Sequence, residues 1–225
     1  MLWDLDGTLT DSVRFVIDTA NRVIAAHGGV ALDHDTVGGM TGMPLDAIFR
    51  LAWPNITLDE ANAYRTEYRA IYDREVIPAT RLFRGARPTL RAFHDAGLLQ
   101  ATVTGKRAAD CERILRGLRI KHEIEVYLGG DSVQGHKPAP DLVYAAAERL
   151  GVSAAQCAVV GDAPADIGMA RAAGAHVIQV GWGWANARID GAEHFVRTWP
   201  SLRRTVFRLA GQDAAILRDR GPVRS

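Results

Sequence analysis

The feature that most constrains the fold of this chain is an alternation of short apolar segments with amphipathic segments, which begins near Leu82. The apolar segments predict strands, and the amphipathic segments, several of which begin at Pro and end before Gly, predict helices. The predicted strands cover residues 99–103, 124–128, 157–160 and 177–180, and the predicted helices cover 88–96, 107–116, 140–150 and 164–173. This order predicts an α/β fold of three α/β/α layers, with a doubly wound parallel sheet between helices.

The stretch before this alternation has only helical patterns. Apolar residues recur at helical spacing between 13 and 24, Pro44 can begin a second helix, and Thr57 with Glu60 can form a capping box for a third. We therefore predict a core of residues 1–13 and 85–210, an all-helical cap inserted at 14–84, and a C-terminal tail at 211–225. The Arg-rich segment 203–224 is interpreted as a solvated surface helix and tail.

Composition excludes several classes of function. The chain has 225 residues and a net charge of +1, so it has no electrostatic attraction to nucleic acid or to a membrane surface. Its two cysteines, Cys111 and Cys157, have no CxxC neighbour, which argues against a zinc site or a disulfide framework. No apolar run is long enough to cross a bilayer, and Asp4 and Asp6 interrupt any signal-peptide pattern. We expect a cytoplasmic protein with neither a nucleic-acid nor a membrane partner.

Polar residues follow several of the predicted strands, where ligands bind in such sheets. Asp4 and Asp6 follow the first apolar run and point to the same side of it, so their charges repel each other. Asp162, with Asp166 one helical turn later, follows another strand. Carboxylates that converge in this way favour a hard divalent cation, and Mg²⁺ is the simplest candidate. Gly7 permits a tight turn directly after the first pair.

Other strand ends carry groups that suit a phosphate dianion. Lys137 lies in the sequence GHKPAP, whose prolines restrict the backbone, and Thr104 and Gly105 offer hydroxyl and amide donors. Each motif alone also has an ordinary structural interpretation as a turn, a loop or a helix cap. It is their joint occurrence at predicted strand ends that indicates a phosphate site.

These motifs together resemble those of the haloacid dehalogenase superfamily, and within it the branch similar to phosphoglycolate phosphatases. The resemblance covers the chain to about Leu209, although the branch often has Asn where Gly105 stands and a longer first strand before the first acid. Either the natural start lies upstream of Met1 or the fold tolerates a short strand. The matching segments are DLDGTLTDS at 4–12, VTGK at 103–106, KPAP at 137–140 and GDAPAD at 161–166.

The resemblance implies a role for each acid. Asp4 would be the nucleophile that forms an aspartyl phosphate, and Asp6 would be the general acid and base. Mg²⁺ would be held by the carboxylate of Asp4, the backbone carbonyl of Asp6 and Asp162, with Asp166 close by or one water away.

The resemblance also implies how substrate is bound. Thr104 and Lys137 would hold the transferring phosphoryl group, Gly105 would contribute to that site, and the helical insert would select the substrate. Segment 38–44, GGMTGMP, is the candidate substrate loop, since glycines such as Gly42 allow close backbone approach; a plain turn between helices is the alternative. The expected partner is a small phosphorylated metabolite, and the expected state is a monomer or homodimer.

Three functions are weighed: a small-molecule phosphatase, a phosphomutase of the β-phosphoglucomutase type, and a catalytically inactive binding protein on the same scaffold. Retention of Asp4, Asp6 and Lys137 argues against the third, and Asp6 argues against phosphonate hydrolysis and dehalogenation. The substrate stays open among phosphoglycolate, sugar phosphates, nucleotides and other intermediates.

Three further residues have two interpretations each. His136 either touches substrate or is a solvated loop residue. Trp182 and Trp184 either pack against the rim of the core or form a wall of the site. The glycines around Trp182 are similar to a dinucleotide loop, but Asn186 occupies the third glycine position, so we exclude this function.

Overall fold

The computed structural model describes residues 1–40 and 42–217, with side chains described up to Gly211. The strands, in chain order, are β1 (Leu2–Trp3), β2 (Thr10–Asp11), β3 (Arg81–Leu82), β4 (Ala101–Val103), β5 (Val126–Leu128), β6 (Ala158–Gly161), β7 (His176–Val180) and β8 (His194–Val196). The helices are α1 (Val13–Ala26), α2 (His34–Gly38), α3 (Leu45–Ala52), α4 (Leu58–Ala79), α5 (Ala86–Asp95), α6 (Ala108–Gly117), α7 (Asp141–Leu150), α8 (Pro164–Ala173) and α9 (Trp199–Leu217), and short 3₁₀ turns lie at Lys121–Glu123 and Ala154–Gln156.

Six parallel strands form one sheet in the order β5-β4-β1-β6-β7-β8. Trp3 of β1 is level with Thr102 of β4 on one side and Val160 of β6 on the other. The chain winds outwards from β1 in one direction and then, from β6, in the other direction. The crevice at the carboxyl ends of β1, β4 and β6 is therefore the switch point at which such sheets bind ligands.

Apolar side chains cover both faces of this sheet, which confirms the predicted three-layer α/β/α class. On one face, α7 and α8 contribute Leu142 and Met169 to a fully buried cluster with Leu2. On the other face, α5, α6 and α9 pack around Trp3, and the Trp3 and Phe93 rings stack with centroids 6.1 Å apart. The predicted strands and helices of this region agree with the observed ones to within about two residues at either end.

Three strands were not predicted from the sequence. β2 and β3 form a separate antiparallel pair, in which Thr10 is opposite Leu82. The chain enters the helical segment after β2 and leaves it at β3. β8 adds an edge strand beside β7. Two or three residues with mixed polarity give no detectable period, so only long-range pairing defines these strands.

The C-terminal helix corrects the interpretation of segment 203–224 as solvated. α9 begins at Trp199, and its residues Leu202 and Val206 are buried in the sheet-side cluster, so up to Gly211 one face of this surface helix is packed and not solvated. Residues 218–225 of the expected tail lie outside the described residues.

The segment between β2 and β3 is helical and has its own apolar cluster, which includes Ile24, Phe49 and Val76. The capping box of α4 is present: Glu60 N donates to Thr57 Oγ1 at 3.3 Å, and Thr57 N donates to Glu60 Oε2 at 2.9 Å. Within the described ranges, this segment adds no strand to the six-stranded sheet. The boundaries that divide the chain into core, cap and tail stay a prediction. In the same described ranges, no helix combines the length and apolarity required to cross a membrane.

Candidate active site

The nucleophile candidate directly continues the central strand. Asp4 follows β1, and its backbone N–H donates to the carbonyl of Val160 in β6 at 3.0 Å. Asp162 follows β6, and Asp166 lies in the first turn of α8. Because β1 and β6 are parallel neighbours, their carboxyl ends bring Asp4 and Asp162 to the same edge of the sheet. All three carboxylates are buried there.

The turn after Asp4 requires a glycine. Gly7 has φ of +79°, and its N–H donates to the carbonyl of Thr10 at 2.8 Å. A Cβ at this position would overlap the carboxylate of Asp162. Both the backbone angle and the space thus exclude other residues, which accounts for the tight turn that the sequence predicts.

Lys137 lies between two of these acids. Its Nζ donates to Asp4 Oδ1 at 2.7 Å and to Asp166 Oδ1 at 2.5 Å, and the side chain is fully buried. Burial alone would lower the pKa of Lys137, but the charges of Asp166 and Asp4 outweigh it and raise that pKa above its usual value. Lys137 is therefore a fixed cation, carried by the loop before α7 and joined to Pro138 by a cis peptide bond.

Burial is also the largest influence on the pKa values of Asp4 and Asp162. It raises the pKa of Asp4 to about 7; Lys137 opposes the shift, and the charges of Asp166 and Asp6 add to it. Burial, followed by the charges of Asp166 and Asp4, raises the pKa of Asp162 well above its usual value. The cluster therefore holds more negative charge than Lys137 alone neutralises.

Hydrogen bonds also orient both carboxylate oxygens of Asp162 and the second carboxylate oxygen of Asp166. Thr8 Oγ1 donates to Asp162 Oδ1 at 3.0 Å, and the backbone N–H of Trp184 donates to Asp162 Oδ2 at 2.7 Å. Asp166 Oδ2 accepts from the backbone N–H groups of Asp162 and Ala163 at 3.2 and 3.1 Å. Asp166 is thus held by the turn that precedes it, and Asp162 by the loops after β1 and β7.

The donor set fits a magnesium ion. Carboxylate oxygens of Asp4, Asp162 and Asp166 all lie within 4.8 Å of one another, and all three residues are buried. Hard oxygen ligands in excess of the local positive charge are what Mg²⁺ prefers. The side chain of Asp6 is not part of this group, so its expected contribution to a metal site is limited to its backbone carbonyl, which stays a prediction.

Asp6 instead takes part in a second polar network that the sequence did not reveal. Its Oδ2 pairs with Lys106 Nζ at 2.9 Å, and its Oδ1 accepts a short hydrogen bond from Ser12. Lys106 also lies over the ring of Tyr72, 4.7 Å from the centroid, so α4 of the helical segment contacts this network. Burial opposes protonation of Lys106, but the charge of Asp6 and the phenols of Tyr72 and Tyr68 raise its pKa well above the usual value.

The predicted phosphate-binding residues meet the predicted substrate loop. Thr104, at the end of β4, is buried, and its Oγ1 accepts from Lys106 N at 3.4 Å. A Cβ on Gly105 would overlap the carbonyl oxygen of Gly42, and one on Gly42 would lie 3.4 Å from Lys137 Cδ. The loop from the helical segment therefore covers Lys137 and the end of β4. The assignment of Gly42, Gly105 and Thr104 to substrate stays a prediction.

A cavity of about 360 Å³ lies between the strand ends and the helical segment. Side chains of Asp6, Lys106, Lys137 and His136 line it from the sheet side. From the helical side, the lining includes Val37, Gly42, Met43, Arg65, Tyr68, Arg69 and Tyr72. Of the catalytic candidates, Asp6 and Lys137 thus face a partly open space with apolar and charged walls, and His136 is at its wall.

Neither Trp182 nor Trp184 is among the described residues that line this cavity. Trp182 stacks on Trp199 with centroids 4.4 Å apart, and its Nε1–H donates to the carbonyl of Thr8 at 3.0 Å. Trp184 reaches the helical segment, where its Nε1–H donates to the carbonyl of Asp35 at 3.0 Å and its ring lies against Gly38. Trp182 thus packs at the rim of the core, whereas Trp184 connects the core to α2.

This arrangement of sheet, acids and lysine agrees with the comparison of the sequence with known families. The family model described as haloacid dehalogenase-like hydrolase matches residues 1–180, and the chain belongs to that family. The expected enzyme class, a phosphoric monoester hydrolase of this family, is also confirmed.

Individual relatives have more specific names. A phosphoglycolate phosphatase of Cupriavidus necator, described as the plasmid form, is 33% identical over 189 residues, which cover 82% of this chain and 81% of the relative. Phosphoglycolate phosphatase of Xanthomonas campestris pv. campestris is 30% identical over 184 residues, 82% of this chain and 83% of the relative. The crystal structure of a predicted phosphoglycolate phosphatase from Haemophilus somnus superimposes with a TM-score of 0.81 at 24% identity, over 91% and 96% of the two chains, and supports the fold.

Proposed function

We propose that the protein is a Mg²⁺-dependent phosphatase that hydrolyses the phosphate monoester of a small metabolite through an aspartyl-phosphate intermediate on Asp4. The observation that carries this proposal is the buried contact of Asp4 with Lys137, beside the carboxylates of Asp162 and Asp166 and next to a cavity that Lys137 lines. The names of the relatives favour phosphoglycolate as a substrate. We further propose a cytoplasmic location, as the two free cysteines suggest.

The first step forms the intermediate. An oxygen of Asp4 attacks phosphorus, the new O–P bond forms as the bond to the leaving alkoxide breaks, and Asp6 donates a proton to that alkoxide. Lys137 and Thr104 hold the phosphoryl oxygens. Asp4, Asp162 and Asp166 would hold Mg²⁺, whose charge would offset the repulsion between a carboxylate and a phosphate dianion.

The second step releases phosphate. Asp6 takes a proton from water, the water oxygen attacks phosphorus, and the bond to Asp4 breaks. Lys106 and Ser12 keep the carboxylate of Asp6 oriented through both steps, since each contacts one of its oxygens. The loop at Gly42 separates the intermediate from bulk solvent, which is a common use of such covers.

The test is release of inorganic phosphate from a panel of phosphorylated metabolites that includes 2-phosphoglycolate. We expect turnover with Mg²⁺, no turnover in excess chelator, and recovery when Mg²⁺ is restored. Full turnover in chelator would contradict the cation assignment. Conversion of β-glucose 1-phosphate to glucose 6-phosphate with little phosphate release would instead identify a phosphomutase.

A further inference from the structure

We infer that Arg69, on α4, is a specificity-determining residue that binds the carboxylate carried by the leaving part of a phosphoglycolate-like substrate. This inference rests on the proposed phosphatase function, which fixes the position of the phosphate. It concerns the other end of the substrate, for which the motifs at the strand ends give no information.

The argument begins with the cations that line the cavity. Four of them have acidic partners: Lys137 with Asp4 and Asp166, Lys106 with Asp6, Arg107 with Asp110 and Asp73, and Arg65 with Asp46. Arg69 lines the same cavity and has neither an ion pair nor a hydrogen bond to any residue that the structure describes. Its positive charge is thus available to a ligand, whereas the other four are neutralised by the protein itself.

The position of Arg69 makes this charge useful. Arg65, Arg69 and Tyr72 are spaced by four and three residues along α4, so they share one helical face, and all three line the cavity. Tyr72 in turn contacts Lys106 beside Asp6. The face of α4 that carries Arg69 therefore faces the proposed reacting groups across the cavity.

The chemistry of a guanidinium suits this role. It is charged at every physiological pH and presents paired N–H donors that match a carboxylate. The phosphate end would occupy the site of Lys137, which leaves the opposite wall for the rest of the ester. A cavity of about 360 Å³ is at the small end of ligand sites and favours a compact acid over a bisphosphate or nucleotide.

The experiment compares three esters of similar size: 2-phosphoglycolate, ethyl phosphate and phosphoethanolamine. In Arg69→Met, which keeps most of the side-chain stem, we expect kcat/KM for 2-phosphoglycolate to fall about 10- to 100-fold, mainly through KM. The value for ethyl phosphate should stay within about threefold. Arg69→Lys should recover part of the loss, and Arg69→Glu should shift the preference towards phosphoethanolamine.

The matched control is Arg74→Met, on the same helix but paired with Glu75 and not part of the cavity lining; it should leave all three values unchanged. An equal loss on every ester, or no loss on 2-phosphoglycolate, would overturn the role of Arg69. A preference for bisphosphates that depends on Arg69 would overturn the carboxylate assignment.

Binding measurements separate this inference from the proposed function. In an Asp4→Asn background, calorimetric titration should show that Arg69→Met weakens binding of 2-phosphoglycolate but not of ethyl phosphate. If the wild-type protein hydrolyses no ester but this difference in binding is found, the phosphatase proposal fails and the role of Arg69 in binding is supported. If hydrolysis occurs without the difference, only the role of Arg69 fails.

Discussion

At the scale of single residues, the proposed chemistry depends on a carboxylate whose surroundings oppose its ionisation. Burial raises the pKa of Asp4 to about 7, against the influence of Lys137 and with that of the neighbouring acids. A carboxylate must be ionised to attack phosphorus. The site therefore requires positive charge beyond that of Lys137, and the carboxylates of Asp162 and Asp166 lie where a divalent cation would supply it.

The substitution Asp4→Asn tests the nucleophile. We expect turnover to fall on the order of 10⁴-fold or more, because the amide that replaces the carboxylate is a poor nucleophile. Phosphate release and circular dichroism would be measured together to show that the fold is retained. Asp11→Asn, at an exposed position of β2, is the matched control and should retain activity. Wild-type rates in Asp4→Asn would rule out this nucleophile.

The substitution Asp6→Asn should act differently. It removes the proton donor and weakens the contact with Lys106, so we expect a loss of roughly 10²- to 10⁴-fold on alkyl esters. Esters with good leaving groups, such as p-nitrophenyl phosphate, need less protonation, so their initial attack should be less affected. Mass spectrometry of rapidly quenched protein should then find a phosphoryl group on the peptide that contains Asp4. A label on another peptide would contradict the mechanism.

At the scale of secondary-structure elements, the loop after β7 connects the acid cluster to the helical segment. The backbone of Trp184 donates to Asp162, while its side chain donates to the carbonyl of Asp35 and packs on Gly38 at the end of α2. A single residue thus contacts both a predicted metal ligand and the segment that covers the cavity. Displacement of α2 would disturb the surroundings of Asp162.

We expect Trp184→Ala to lower the free energy of unfolding by about 1–3 kcal/mol, because it removes a half-buried ring and one hydrogen bond. KM should rise more than kcat falls, since the cover of the cavity loses a contact. Trp184→Phe should retain most of the packing and lose only the hydrogen bond. Denaturant unfolding and steady-state kinetics would measure both effects. The control is Trp53→Phe, because Trp53 follows α3 and packs on Tyr64 of α4. An unchanged KM in Trp184→Ala would separate this contact from substrate binding.

The elements that could be predicted are those with strong local signals. Helix α7 begins directly after Pro140 and α8 begins at Pro164. Each is followed by a glycine with positive φ, Gly151 or Gly174, so the limits of both helices are encoded locally. Strands β2, β3 and β8 have no such signal, because they exist only through pairing with distant residues. Pairing of this kind is a tertiary effect that a sequence pattern does not contain.

The same distinction holds for the candidate site. The convergence of Asp4, Asp162 and Asp166 follows from parallel strands that share one edge, so their spacing predicts it. The partners of Asp6 were missed, although Ser12 and Lys106 belong to the recognised segments. Their contacts depend on side-chain direction and on the position of α4, which spacing along the chain does not determine.

At the scale of the whole molecule, the acid cluster makes stability depend on pH and on the cation. An unfolded aspartate releases its proton near pH 4, whereas folded Asp4 retains it to about 7, so the folded state binds more protons between these values. The free energy of unfolding of the metal-free protein should therefore fall as pH rises through this window, by at most about 1.4 kcal/mol per pH unit for each such proton. Burial shifts Asp162 in the same direction.

Mg²⁺ should reverse this trend, because it binds the ionised cluster. We expect its stabilising effect, seen as a rise in melting temperature, to be larger near pH 8 than near pH 5. Thermal unfolding in chelator and in Mg²⁺ at both pH values would measure the difference. The variant Asp162→Asn, which removes one charge from the cluster, should reduce it. An equal rise at both pH values would contradict the proposed coupling.

The position of β1 has a consequence for the order in which the protein is made. Leu2 emerges from the ribosome well before its partners in the sheet, Ala101 and Val159. The helices of the segment between β2 and β3 make mainly local contacts and can pack while synthesis continues, whereas non-local pairing of parallel strands is slow. The site around Asp4 can therefore form only after most of the chain has been synthesised. Nascent or truncated chains that end before β6 would contain the proposed nucleophile without the acids and the strand that complete its site.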